Sequence, residues 1–292
     1  MIINKNIIFV IAIGILFSIS GCTKSIDDAE SLYRSGQEEA ALEAALEAAE
    51  GLMDHEEPKV RQRAVRLIGK IGNEKAGQLL VRALRDSNSS VQTEAVRGLG
   101  ANQYEPGIRP ILDILPSAAP DVVQAAGPAL ASYGSDALKL LVDLYSMPSQ
   151  KSNRGVYRQV LMNVGASASE ALIATLKGKS FFENRDTFAL LEQMRNPRVA
   201  TLMLPYLENE EVQEQVSVAI GRLGSMAINP TLDSIRKYMK SPDDVRVLEF
   251  HIKILGTLKD PRSVETLESL SQHPSERIRD SVDRALFQIR GF

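Results

Sequence analysis

The sequence predicts an all-α fold, a right-handed α-solenoid of about eight helical hairpins behind an N-terminal helical cap. Three observations point to it. A helical pattern recurs along the chain at intervals near 31 residues, an aliphatic side chain stands eight residues into every copy, and the composition is that of an aliphatic helical core, with 44% hydrophobic residues, 5% aromatics and no tryptophan. Self-similarity at a period of 20 to 50 residues is the mark of stacked supersecondary units.

Residues 1–21 stand apart from that pattern. Lys5 is their one ionisable side chain, and "IIFVIAIGILFSI" (7–19) carries no charge at all. The run is shorter than the roughly 20 apolar residues a bilayer span needs, and it reads as the n-region and h-region of a secretory signal. It ends at Cys22, the only cysteine of the chain. Ile19, Ser20, Gly21 and Cys22 together resemble a bacterial lipobox, with Ile where that family usually has Leu. The resemblance implies cleavage before Cys22 and its acylation, hence a membrane-bound chain, lipid-anchored to the cell envelope. Thr23, where inner-membrane lipoproteins typically carry Asp, implies the outer membrane if the source has one. An ordinary signal or an uncleaved anchor would instead leave Cys22 a bystander thiol.

Residues 22–26 are then the lipidated cysteine and a tether of four residues, spanning at most about 14 Å. Residues 27–57 hold eleven acids against Arg34 alone. Here a first helix capped by Asp27 or Asp28 and stopping near Gly36 is expected. A second follows, with alanine pairs at 40/41, 44/45 and 48/49, four apart for close packing. This acidic segment reads as a soluble end cap for the array.

The repeats occupy residues 58–292. "VRQRAVRLIGKIG" from Val60 aligns with "VQTEAVRGLGANQ" from Val91 and "VVQAAGPALASYG" from Val122, and similar starts follow at Val156, Glu183, Val212, Val247 and Ile278. Eight residues on come Ile68, Leu99, Leu130, Val164, Leu191, Ile220, Leu255 and Leu286; four on come Ala64, Ala95, Ala126, Val160, Thr187, Val216, His251 and Val282. Positions 0, 4 and 8 thus form one apolar stripe at helical spacing, broken in the fifth unit by Glu183 and Thr187. Nine residues on, Gly69, Gly100, Gly165, Gly221 and Gly256 recur, and Gly72, Gly134 and Gly224 lie three further along. Glycine costs about 1 kcal/mol inside a helix, so its recurrence points to close helix approach or a C-terminal cap, with the first helix ending there. Second apolar helices follow at 76–84, 107–115, 137–145, 199–207 and 263–271, and turns rich in Asp, Asn, Ser and Pro separate the units.

The pattern "VRxxAVxxLGxIG" leading into a second helix resembles HEAT repeats of the short phycobilin-lyase-like type. That resemblance implies hairpins stacked into a curved rod with an extended binding surface, and it leaves the function open. Export and lipidation speak against tetrapyrrole chemistry. Iron-binding relatives within that broad family, such as deoxyhypusine hydroxylase, carry several His-Glu pairs; among His55, His251 and His273 only His55 with Glu56 qualifies. His251 falls on the apolar stripe, where a hydrogen-bonded core histidine is expected rather than a ligand. No nucleophile, base and oxyanion set can be assembled, so no enzyme, cofactor or metal is expected.

Charge remains. Without residues 1–21 the chain carries 33 basic against 37 acidic residues, a balance that excludes a general nucleic-acid binder. Residues 58–109, however, hold ten basic residues against four acids. Arg63, Arg66 and Lys70 share one face of the first helix, opposite Val60, Ala64 and Ile68. That face is expected to be the outer one, with Arg82 and Arg85 on the concave side. These five are the candidate residues for partner binding, with Tyr145 and Tyr206 in later units as the next candidates. The reading that follows is a non-enzymatic scaffold binding envelope proteins. Its rival is a ligand-binding or enzymatic solenoid acting on envelope glycan or a cofactor.

Overall fold

The structure is a computed structural model that describes residues 31, 37–176, 181–194, 196–239 and 244–291, and every regular element among them is helical. The signal segment, Cys22, the tether and the expected helix end near Gly36 lie outside the described residues. The chain forms two compact units, residues 1–164 and 165–292.

The first unit holds α1 (Glu38–Gly51), α2 (Pro58–Ile71), α3 (Glu74–Ala83), α4 (Ser89–Asn102), α5 (Ile108–Ile114), α6 (Pro120–Ser132), α7 (Ser135–Ser146) and α8 (Arg154–Val164). Local chemistry sets their ends. Pro58 and Pro120 open α2 and α6, where a missing N–H costs nothing. Asn73 Oδ1 accepts from Ala76 N (2.8 Å) and Asn88 Oδ1 from Ser90 N (3.0 Å), capping α3 and α4. Gly72 closes α2 in the left-handed region at φ 68°, and Gly134 and Gly224 also take positive φ, at 81° and 63°.

Helices α2, α4, α6 and α8 pack side by side in that order, and α1 covers α2. Ala41, Ala45, Leu46, Ala48 and Ala49 are the buried face of α1, while Glu39, Glu43 and Glu47 stay exposed. Apolar burial of this kind contributes about 25 cal/mol per Å². The stripe is the core: positions 4 are buried in all eight units, Thr187 and His251 included, and positions 8 in all but Val164, which is half-buried.

The recurring glycine serves the neighbouring helix. A Cβ on Gly100 would stand 2.6 Å from Ala129 Cα of α6, far inside van der Waals contact. Ser132 Oγ donates to Gly100 O across the same junction (2.7 Å). Helices α2 and α4 accordingly run two residues past Gly69 and Gly100 rather than ending there. The second helices α3 and α7 lie against the first-helix layer, each touching the helices on both sides of it. The first helices are thus the closely spaced layer of this unit. The α2 surface with Arg63, Arg66 and Lys70 belongs to this closely packed first-helix layer, whose backbones meet at glycine.

The second unit repeats the plan with α9 (Ala166–Ala174), α10 (Phe181–Gln193), α11 (Pro197–Met203), α12 (Gln213–Arg222), α13 (Ile228–Tyr238), α14 (Val245–Leu258), α15 (Val264–Ser269) and α16 (Glu276–Arg290). Helices α10, α12, α14 and α16 pack in sequence. In the fifth unit of the pattern, Phe188, Leu190 and Leu191 supply the apolar core beside the buried but polar Thr187.

Candidate functional site

Helix α2 buries its stripe together with Val65 and Leu67, and turns Arg63 and Arg66 to solvent. Lys70 is half-exposed. Glu94, on α4, is the unexpected partner. Only 8% of its side chain is exposed, against 47% for Arg66. Arg66 donates to it twice, from Nε (3.1 Å) and Nη2 (2.9 Å). Arg97, three residues along α4 and itself exposed, adds a bond from Nη1 (3.4 Å), and Gln62 another from Nε2 (3.5 Å). Burial pushes the Glu94 carboxyl up, but the Arg66 hydrogen bonds and charge, helped by Arg97 and Gln62, outweigh it and hold the group below its ordinary value. Glu94 is therefore an ionised hub that fixes two guanidinium groups while leaving both in contact with water. Glu94 was missed by sequence reasoning, because its contact with Arg66 joins residues 28 apart and depends on how α4 settles on α2; Arg97, three residues from Glu94, was within reach of a helical count.

The other candidates lie elsewhere. Arg82 Nη2 is 2.6 Å from both Asp54 carboxylate oxygens, tied to the turn after α1. Arg85 is exposed in the turn after α3. Arg61, one of the ten basic residues, is a structural joint: Nε and Nη2 meet Asp86 at 2.8 and 2.9 Å, and Nη1 donates to the carbonyls of His55 and Glu56.

That joint explains two histidines. His55 stands five residues before Val60, and its Nδ1 accepts from Glu57 N (3.0 Å). His273 stands five before Ile278 and accepts from Ser275 N (3.2 Å), with its carbonyl bonded by Arg279 Nη1. Asp86, five before Val91, does the same work: Oδ1 accepts from Asn88 N and its carbonyl accepts from Gln92 Nε2. A side-chain acceptor at this position and an Arg or Gln six residues later form a repeated turn lock, a signal present in the sequence. His251 is fully buried, as its place on the stripe predicts. Its Nδ1–H donates to Val247 O (2.8 Å), since a carbonyl only accepts, and Nε2 then accepts from Ser234 Oγ (2.8 Å). Tyr145 is buried, and Tyr206 Oη donates to Ile173 O (3.1 Å), so both aromatic candidates are parts of the packing. Among the described residues no group of three or more His, Cys, Asp or Glu side chains is placed to hold a metal ion.

Comparison with known proteins agrees with the repeat pattern. Residues 45–131 match the family model for HEAT repeats. The match begins inside α1 and ends in α6, and so contains the Glu94 hub. No curated protein sequence matches the chain. Among solved structures, human deoxyhypusine hydroxylase in complex with glycerol is 18% identical over 87% of this chain and 99% of that one, with a TM-score of 0.36. An engineered protein is 20% identical over 86% and 71%, with a TM-score of 0.32. Kap121p bound to Nup53p is 13% identical over 98% of this chain and 37% of its own length, with a TM-score of 0.42. At such values these likenesses say nothing of this chain's activity.

Proposed function

We propose that the chain is a lipid-anchored, non-enzymatic scaffold of the bacterial cell envelope that binds acidic protein partners on the α2 and α4 surface. The carrying observation is the Glu94 hub. Guanidinium groups held in place before binding lose less side-chain entropy when a partner arrives, and a cluster of cations on one layer steers an acidic surface toward it. Anchoring rests on the resemblance of Ile19–Cys22 to a lipobox at the end of the apolar run. The non-enzymatic reading is supported by the histidines, each of which has a ring nitrogen engaged in a turn or core hydrogen bond.

Site-specific photo-crosslinking in intact envelopes tests the surface. A crosslinker at position 63 or 70 should trap a partner that one at Gln78, exposed on α3, does not. Raised salt should weaken the capture, since exposed charges are screened within about 8 to 10 Å. Equal products from both faces, or none from 63 and 70, would refute the assignment.

A further inference from the structure

The second unit carries a feature that the α2 surface does not involve. Helices α12, α14 and α16 lie in sequence, and a cavity of about 320 Å³ opens across them. Its charged lining is Glu214, Glu249, Lys253, Arg277 and Arg284, a net charge of +1. Two of the three cations already have carboxylates: Lys253 Nζ is 3.2 Å from Glu214 Oε2, and Arg277 Nη2 is 2.6 Å from Glu249 Oε2. Arg284 is different. Its Nε donates to Asp280 O (3.2 Å) and its Nη2 to Ser281 Oγ (3.1 Å), and no carboxylate of the described residues pairs with it. It is exposed, so its remaining donors are open to a ligand.

The surroundings are apolar on two sides. Phe250, nearly buried, lines the cavity with Ala285, and Lys253 Nζ sits 5.6 Å from the Phe250 ring centroid. Phe287 follows Arg284 by one turn on the same side of α16 and is 64% exposed. It occupies the ninth position of its repeat, glycine in five other units, where at Gly69, Gly100, Gly221 and Gly256 the next first helix packs close.

We propose that this cavity is a docking pocket for the carboxylate of an acidic side chain in an extended partner polypeptide, anchored on Arg284, with a neighbouring apolar side chain of that polypeptide packed on Phe287. The guanidinium fork matches a carboxylate bidentately. The cavity lies at the low end of the roughly 300 to 1,000 Å³ of small-molecule pockets, the scale of a side chain rather than a cofactor. An exposed ring beside an anchoring arginine is the pairing that dominates protein interfaces; a free small acid would leave the ring uncovered.

The test uses the full chain in non-ionic detergent and a rhodamine-labelled, C-terminally amidated peptide of three Glu-Ala-Phe repeats, read by fluorescence anisotropy. The wild type should bind it, and Arg284→Gln should bind it about tenfold more weakly, the effect of losing one charge-assisted hydrogen-bond pair. The Gln-Ala-Phe counterpart should lose as much against the wild type, an arm that does not depend on any variant folding. Arg290→Gln, which removes an arginine of the same helix paired with Glu268, should bind as the wild type does. No binding by the wild type, or equal binding of either the Gln peptide or Arg284→Gln, overturns the pocket. Binding that survives Arg284→Gln but disappears in the double variant Arg63→Glu, Lys70→Glu overturns it while leaving the α2 surface standing.

Discussion

Replacing Gly100 by alanine should destabilise the first unit, although helix propensity alone says the opposite. In a helix interior alanine is favoured over glycine by about 1 kcal/mol. At Gly100 the added methyl would stand 2.6 Å from Ala129 Cα, 2.7 Å from its Cβ and 3.2 Å from its carbonyl oxygen. Carbon atoms rest about 3.5 to 4.0 Å apart, so α4 and α6 must separate by about 1 Å along a line where two of the three nearest atoms are backbone and cannot rotate away. Overpacking of this kind costs about 1 to 3 kcal/mol, and rigid backbone on the far side favours the upper end, leaving a net loss of about 2 kcal/mol after the propensity gain. Gly51, the last residue of α1, is the control: nothing lies within 4 Å of its Cβ position, so Gly51→Ala should be neutral or stabilise by up to about 1 kcal/mol. Urea titration followed by circular dichroism reads both. A Gly100→Ala midpoint at or above that of the wild type would refute close helix approach as the reason for the recurring glycine.

Further outcomes are expected. Arg66→Glu should not be the neutral surface change its exposure implies, because it leaves the nearly buried Glu94 facing a second carboxylate; a loss of about 2 kcal/mol, moderated by the solvent around Arg66, should appear in the urea midpoint, and an unchanged midpoint would dismiss the hub. Burial pushes His251 down from 6.5 to about 4, so the unfolded chain binds this proton first as pH falls. The stability it protects is complete above pH 6.5 and is lost progressively toward pH 4, by about 3 kcal/mol. His251→Leu should lose that step in denaturation curves taken across the range, and a step that persists would assign it to other groups. Cys22→Ser should abolish labelled-palmitate incorporation; label retained by the serine variant would exclude lipidation at this position.

Much of the fold was legible because its cause is local. The stripe at Ile68, Leu99, Leu130 and their counterparts follows from a period of 3.6 residues within one helix, and the eight starts predict first helices that all appear. His251 could be placed in the core from the same count. The locking turns were equally written in the chain, with His55, Asp86 and His273 each six residues before an Arg or Gln, but their meaning needed the hydrogen bonds to the carbonyl of the earlier residue.

By itself, the amino-acid sequence determined the helices, their apolar faces, the repeat and the excess of positive charge in the first units. Only the tertiary structure decided which charges are committed and which layer is the close-packed one. Arg61 became a joint, Arg66 and Arg97 became the arms of Glu94, and Arg284 was left without a carboxylate among the described residues. The physical reason is distance along the chain. A helix face is set by neighbours three and four residues away, whereas Arg61–Asp86 and Arg66–Glu94 join residues 25 and 28 apart. Their geometry depends on how far each glycine lets one hairpin settle against the next, a quantity with no counterpart in any single repeat.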